Sequence, residues 1–312
     1  MSLSAIVPVW NGREHLARLL PTLHAQTCPA SELLVVDNGS TDGAPDLARV
    51  RGARVLPMGH NAGFARAVNR GIRESSGEWV AVLNSDVELA PDYFSKLLSA
   101  NTAFATGKIL MKASPDRIDA TFDAVSRGGM AWRVGHGRID GPLFSERRRI
   151  YSPPWTAVVF RRDVFDQVGL LDESFDSYLE DVDFGLRCAE SGVSGLYVPE
   201  AVAWHRGSAA LGGWHPEMVR LIARNQCYLT AKHFPPHSRH LVAQLLWGLL
   251  AFRHGAGLSW LKGRRQGRSA GIKRVGTVPS DWLEVNERLI CEIQRATGWD
   301  WYWRLYFWLF ER

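Results

Sequence analysis

Cysteine is scarce: Cys28, Cys188, Cys227 and Cys291 are the only four in 312 residues. They are scattered, with no CxxC pair or other metal-type spacing. That excludes a disulfide framework and a thiolate metal site, and it suits a reducing cytoplasm in which each thiol is a small buried hydrophobe. Long apolar runs are missing too. The longest, Leu241 to Phe252, is interrupted by Gln244, and a bilayer span needs roughly 20 residues, so no segment is expected to cross a membrane. The opening stretch Met1 to Trp10 lacks a basic leader and soon meets Asn11, Arg13 and Glu14, so it reads as a first strand, not a signal peptide. Neither charge sign dominates: 37 Lys plus Arg against 32 Asp plus Glu give +5, too little to argue for a nucleic-acid partner. There is no internal repeat and no low-complexity tract. With 46% apolar and 22% charged residues, disorder and collagen-like structure are excluded as well.

What is present is alternation. Ala5–Val9 reads as a strand and is followed by Leu16, Leu19, Leu20 and Leu23 at helical spacing, with Pro21 marking a kink or an early stop. Leu33–Val36, Arg54–Pro57 and Trp79–Leu83 are further strands, and residues 62–75 form a helix between the last two. Strand, helix, strand, helix at this spacing predicts an α/β fold built on a parallel sheet covered on both faces. Residues 112–150 have weak periodicity and read as long loops beside a site. Thr156–Phe160 returns to strand character. A short helix from Asp163 to Gly169 and a second from Glu180 to Gly192 follow. Beyond about residue 225 helical patterns dominate.

In an open parallel sheet, ligands bind beyond the carboxyl ends of the strands. Three polar clusters fall at such places: Asp37 after the second strand, Asn84-Ser85-Asp86 after the fourth, and Glu180-Asp181-Val182-Asp183 opening a later helix. One acid after a strand is usually a turn former or a helix cap; three in one chain tilt the balance towards function. Mg2+ or Mn2+ prefers oxygen donors and commonly keeps one or two protein carboxylates beside a diphosphate, which suits Asp86. A helix N-terminus favours the charged form of a carboxylate, the form a general base requires, which suits Asp181. Asp183 precedes Arg187 by four residues, and a surface ion pair accounts for it.

The order of these motifs resembles a family. Ile6-Val-Pro-Val-Trp-Asn11, Val35-Val-Asp-Asn-Gly-Ser-Thr-Asp42, Asn61-Ala-Gly-Phe-Ala-Arg-Ala-Val-Asn69 and Leu83-Asn-Ser-Asp86 look like the nucleotide half of an inverting family 2 glycosyltransferase. Leu170–Phe175 and Tyr178–Arg187 are similar to its acceptor half. The likeness runs from about residue 3 to 235 and is nearest to the branch that includes bacterial rhamnosyltransferases. It implies an α/β, GT-A-like (Rossmann-like) domain over 1–235 with a mixed, mainly parallel sheet flanked by helices, with a nucleotide-sugar half to 110 and an acceptor half from 111, then a helical, basic and aromatic extension over 236–312. It further implies a donor site of Pro8, Asn11, Asp37, Asn61, Gly63, Asn69, Asn84, Ser85 and Asp86. Asp181 matches the general base, Glu180 its partner, and His205 matches a histidine that completes an Mg2+ or Mn2+ site with Asp86. Where the family's acid motif has a first carboxylate, this chain has Asn84. Gly195, Gly207, Gly212 and Gly213 either let the segment around Ala203–Ser208 approach a diphosphate or are simple turns. Trp155, beside Thr156, is either a wall of the sugar or acceptor pocket or a core anchor.

The resemblance implies direct displacement from a nucleoside diphosphate hexose, dTDP-rhamnose first, with UDP-glucose, UDP-galactose or a UDP-furanose open. The acceptor would be a growing surface glycan or a polyprenyl-diphosphate sugar. A nucleotidyltransferase is the competing enzyme, although Trp10-Asn-Gly-Arg-Glu14 is a poor phosphate loop; a silent nucleotide- or glycan-binding scaffold is the non-enzyme reading. Between Arg253 and Arg274 there are seven Lys/Arg and no acid, and Trp299–Phe310 is dense in aromatics. That combination suits peripheral contact with the inner face of a membrane. Alternatively Trp301, Trp303, Tyr306, Phe307 and Phe310 pack on the chain's own domain or on a second subunit in a homodimer.

Overall fold

The computed structural model describes residues 2–207 and 214–310. Contacts divide the chain into two compact units, one of residues 1–122 with 135–207, the other of 123–134 with 208–312. The division falls earlier than the boundary expected near 235, and a short hairpin joins the helical unit.

In the first unit the elements run β1 (Leu3–Val9), α1 (Arg13–His24), β2 (Glu32–Asp37), α2 (Ala44–Val50), β3 (Arg54–Pro57), α3 (Phe64–Glu74), β4 (Trp79–Leu83), β5 (Val87–Leu89), α4 (Tyr93–Ser99), β6 (Phe104–Met111) and β7 (Ser114–Ala120). In the second unit β8 (Asp123–Val125) pairs antiparallel with β9 (Ala131–Arg133). The first unit then resumes with β10 (Arg148–Ile150), β11 (Ala157–Arg161), α5 (Asp163–Val168), α6 (Glu180–Glu190) and β12 (Gly195–His205). Residues 112–150 hold the seven-residue β7 and three strands of three residues, β8, β9 and β10, while more than half of the stretch lies outside strands, so the expected loops are interrupted by short strands. A strand of three residues is too short for alternation to register.

The main sheet has the order β10-β12-β6-β11-β4-β1-β2-β3, with β5 on β12 and β7 on β6. From β4 through β1 and β2 to β3 every pairing is parallel. β11 runs antiparallel to both β4 and β6, while β6 and β12 pair parallel. All seven residues of β1 are buried, as a central parallel strand covered on both faces must be. The leucine stripe of α1, Leu16, Leu19, Leu20 and Leu23, packs into the core beneath β1 and β2. Pro21 sits in the last turns of α1, which ends at His24, a stop and not a break. The three cysteines 188, 227 and 291 are buried free thiols, and Cys28 is half-buried.

Because β1 connects to β2 on one side and neighbours β4 on the other, the chain reverses direction across the sheet at the carboxyl ends of β1 and β4. This is the crevice where open sheets take ligands.

The second unit contains α7 (Pro216–His233), α8 (Ser238–Arg253), α9 (Gly257–Ser269), α10 (Ser280–Thr297) and α11 (Trp301–Phe310). The aromatic tail folds as α11 and buries Tyr302, Trp303, Tyr306 and Phe307. Trp303 meets Trp132 of the hairpin at 6.3 Å between ring centres. The Tyr306 hydroxyl donates to Glu287 at 2.6 Å and accepts from the Gly128 N–H at 2.9 Å. These rings serve the core of their own unit. No helix among the described residues is long and apolar enough to cross a membrane.

Gly71 lies in α3 where a methyl group would stand 2.4 Å from Cγ2 of Ile6. On an exposed helix Gly→Ala gains about 1 kcal/mol. Gly71→Ala is instead expected to cost about 1–3 kcal/mol through overpacking, seen as a lower urea midpoint.

Candidate active site

Four loops gather at the carboxyl ends of the parallel strands. Asp37 ends β2, is buried, and accepts the Ser40 N–H at 2.9 Å, which closes the turn after the strand. Asn11 follows β1 with φ +50 and braces the same turn: its N–H reaches Ser40 Oγ at 2.9 Å, and its Oδ1 accepts the Thr41 N–H at 2.9 Å. Asn38 ties this loop to the start of α3, accepting from Ala62 N–H and donating to the Gly63 carbonyl, both at 3.2 Å. Asn61 is exposed and accepts the Gly63 N–H at 3.2 Å. Pro8 is buried inside β1, opposite Val36. On the other side of the crevice, Asn84, Ser85 and Asp86 are half-buried after β4. Ser85 stands against Gly12, whose Cβ, if present, would lie 3.3 Å from Ser85 Oγ.

Gly63 must be glycine. Its φ is +87, and any Cβ would meet the Asp176 carbonyl oxygen at 2.8 Å. That carbonyl accepts the Ala65 N–H at 3.2 Å, and Ser177 Oγ accepts the Phe64 N–H at 3.3 Å. The segment before α6 thus satisfies donors that the first turn of α3 cannot satisfy itself. Asp176, Tyr178 and Leu179 all have positive φ, at 58, 70 and 66. For bulky side chains this backbone costs on the order of 1–3 kcal/mol each, and such strain gathers at functional sites. It delivers Glu180 and Asp181 to the first turn of α6, where Asp181 is half-buried and its Oδ1 accepts the Val182 N–H at 2.9 Å.

The tightest polar cluster lies at the end of β12. His205 is buried, with Nε2 3.1 Å from Asp86 Oδ1 and Nδ1 2.9 Å from Asp119 Oδ2. Burial by itself would lower the imidazole pKa, but the hydrogen bonds and charges of Asp119 and Asp86 outweigh it and push the value up to about 9. One positive charge therefore belongs between these carboxylates. The donor set, one carboxylate and one imidazole whose other nitrogen is fixed by a second carboxylate, fits a divalent cation that takes its remaining ligands from phosphate and water. Among the described residues no three His, Cys, Asp or Glu side chains converge as a self-sufficient metal site, so a cation here would need oxygens from water or a bound ligand. Beside the cluster, Glu88 bonds Lys112 at 2.6 Å and Arg206 at 2.9 Å.

Several sequence expectations are corrected. Asn69 does not face the crevice. It is 1% exposed, its Nδ2 donates to the Leu171 carbonyl at 2.9 Å and to Glu173 at 3.0 Å, and its Oδ1 accepts the Leu171 N–H at 3.0 Å. It locks the 171–173 segment to α3. Trp155 is a core anchor, not a pocket wall: buried, it meets Phe160 at 4.8 Å and Phe184 of α6 at 5.0 Å. Thr156 is also buried, and its carbonyl accepts the Asn84 N–H at 2.9 Å. Asp183 does pair with Arg187, at 3.0 Å, but with no exposed surface of its own. Arg187 also donates to the carbonyls of Val168 and Leu170. Gly195 packs on Phe104 at the start of β12 and makes no loop. Gly207 has φ +82; Ser208, Gly212 and Gly213 lie outside the described residues. Asp119 was missed by the sequence reading, since it sits in a strand of irregular pattern and its partner is 86 positions away.

A mixed sheet with a strand-end carboxylate beside a histidine at its ligand crevice is the arrangement of GT-A glycosyltransferases. The model of glycosyl transferase family 2 matches residues 4–169, and the chain belongs to that family, which sets the nucleotidyltransferase reading aside. It is 30% identical over 244 residues to N-acetylglucosaminyl-diphospho-decaprenol L-rhamnosyltransferase of Mycobacterium tuberculosis, covering 67% of this chain and 78% of that protein. It is 28% identical over 199 residues to a PGL/p-HBAD biosynthesis glycosyltransferase of Mycobacterium bovis, covering 59% and 68%. Its fold is similar to GalNAc-T7 solved with UDP, GalNAc and Mn2+, with a TM-score of 0.64 at 15% identity over 96% of this chain and 58% of that one. It is also similar to the mannosyltransferase PcManGT of Pyrobaculum calidifontis in complex with GDP-Man and Mn2+, with a TM-score of 0.54 at 16% identity over 99% and 87%. The chain is a glycosyltransferase.

Asn69→Ala would leave the Leu171 N–H and carbonyl buried without partners, at about 1–3 kcal/mol each. A lower urea midpoint is expected, together with faster hydrogen exchange at the Leu171 amide.

Proposed function

We propose that this glycosyltransferase moves a hexose, rhamnose as first candidate, from a nucleoside diphosphate sugar to a hydroxyl of a lipid-linked or growing surface glycan. The reading is carried by the Asp86–His205–Asp119 cluster at the crevice. The mycobacterial relative's lipid-linked GlcNAc acceptor and rhamnosyl product favour the substrate classes, and the Mn2+ in complexes of the same fold favours a divalent cation, Mg2+ or Mn2+.

In this reading Asp37, Asn11 and Asn61 border the nucleoside, and Asn84, Ser85 and Asp86 border the diphosphate. Asp86 and His205 would hold the cation, whose charge offsets that building on the departing diphosphate. Asp119 fixes the His205 ring so that Nε2 faces Asp86. Asp181 removes the proton from the acceptor hydroxyl as its oxygen attacks the anomeric carbon opposite the leaving diphosphate, so the configuration at that carbon inverts. The buried Glu180 beside it helps set the first turn of α6. Trp155 and Thr156 act from behind: Trp155 joins α6 to the sheet, and Thr156 holds Asn84.

Asp181→Asn is expected to retain donor binding, measured by thermal shift, while turnover falls about 10²–10⁴-fold. Wild-type turnover in that variant would dismiss the assignment. Chelation of divalent ions should abolish turnover, and added Mn2+ or Mg2+ should restore it. Asp119→Asn should raise the Mn2+ concentration needed for half-activity about 10–100-fold; an unchanged Mn2+ titration would remove Asp119 from the site.

A further inference from the structure

The helical unit carries an exposed apolar stripe that glycosyl transfer does not require. Along α8, Leu241, Leu245, Leu249 and Phe252 follow one another at i, i+4, i+8 and i+11, each between 43% and 56% exposed. α9 adds Leu258 and Leu261, at 79% and 48%. An ordinary amphipathic helix turns such residues inward, and contiguous exposed apolar surface marks an interaction site.

Beside the stripe lies a cleft of about 620 Å³ whose walls include Arg264, Arg268, Arg274, Phe234, Leu241 and Ile272. Arg264 is 7% exposed. Its guanidinium donates to Gln244 and lies 5.3 Å from the centre of the Trp260 ring, and no carboxylate pairs with it among the described residues. Burial, and then the nearby charge of Arg268, hold its pKa below the ordinary arginine value. A buried cation facing a cleft without a counter-charge is costly unless an anion joins it. Leu241 belongs to both features, as a wall of the cleft and the first residue of the stripe. From Arg253 to Arg274 there are seven cations and no acid.

We propose that the α8–α9 face docks on an anionic lipid bilayer, with a lipid phosphate seated in the Arg264 cleft and the α8 stripe lying in the boundary between headgroups and acyl chains. The pairing of charge with continuous apolar surface selects this occupant. A soluble phosphate compound has no use for the leucines, and a second copy of the same basic face would repel the first. Since no described helix is long and apolar enough to span a bilayer, the helices lie along the surface. Of the rings of the tail, Tyr302, Trp303, Tyr306 and Phe307 are buried inside the unit while Trp299, Trp301 and Trp308 stay exposed, and the anchor is assigned to α8 and α9 because only there does the apolar stripe adjoin the basic cleft. The proposal stands apart from the catalytic assignments, because it is read by binding alone.

The full-length chain is mixed, without donor sugar, with vesicles of phosphatidylcholine alone or with phosphatidylglycerol added, and sedimented. Binding is expected only with phosphatidylglycerol and should weaken as salt rises. The double variant Leu245→Glu/Leu249→Glu, at exposed positions, should lose at least ten-fold in vesicle affinity with an unchanged melting temperature. Arg268→Ser should lose about five-fold. Equal binding to uncharged vesicles, or full binding by the double variant, would overturn the proposal. So would stabilisation by inorganic phosphate without any vesicle binding, which would make the cleft a site for a soluble phosphate. Loss of vesicle binding would leave the transferase measurements above unaffected, so the two readings fail separately.

Discussion

One imidazole between two carboxylates holds the candidate site together. His205 ends β12, Asp86 follows β4 and Asp119 lies in β7, so three remote stretches of chain meet at one ring. Removing such groups from water is expensive, and the cost is met only when each charge faces an opposite one. The carboxylates raise the basicity of the imidazole, and the imidazole in turn makes two acids tolerable side by side. A divalent cation would exploit the same balance, because the protein already provides the place for positive charge and leaves most ligand positions to the donor.

A second constraint sets the start of α6. The segment before α6 caps α3, pins Gly63 and takes three left-handed backbones to do so. Asn69 and Arg187 then hold its neighbours by their carbonyls. The loop before α3 and the start of α6 are thereby parts of one rigid construction, with Trp155 as the strut between α6 and the sheet. Groups that act on a substrate have to be held to a fraction of an ångström, and this bracing holds Asp181 in that way, as the proposed role requires.

Much of this was legible in the linear order. The strands, the leucine stripe of α1 and the acids at strand ends are local patterns, and each was found where the chain places it. Asn69, Trp155 and Asp183 show where such patterns stop being informative. Each sits inside or beside a motif, and motif membership cannot tell a residue that faces a ligand from one that holds the frame. The strands β8, β9 and β10 escaped because a run of three residues carries no usable period.

The sequence by itself determined the α/β class and the set of acids from which a site would be chosen, because these depend on periodicity and on residue types at short spacing, and the order of its motifs carried the resemblance to the glycosyltransferase family. Only the tertiary structure decided that Asp119 joins His205, that Asn69 and Trp155 are buried supports, and that Tyr302, Trp303, Tyr306 and Phe307 of the tail pack inward while Leu241, Leu245 and Leu249 of α8 stay outside. Those outcomes depend on which distant surfaces compete for burial and for hydrogen bonds, and that competition is resolved only when the whole chain has folded.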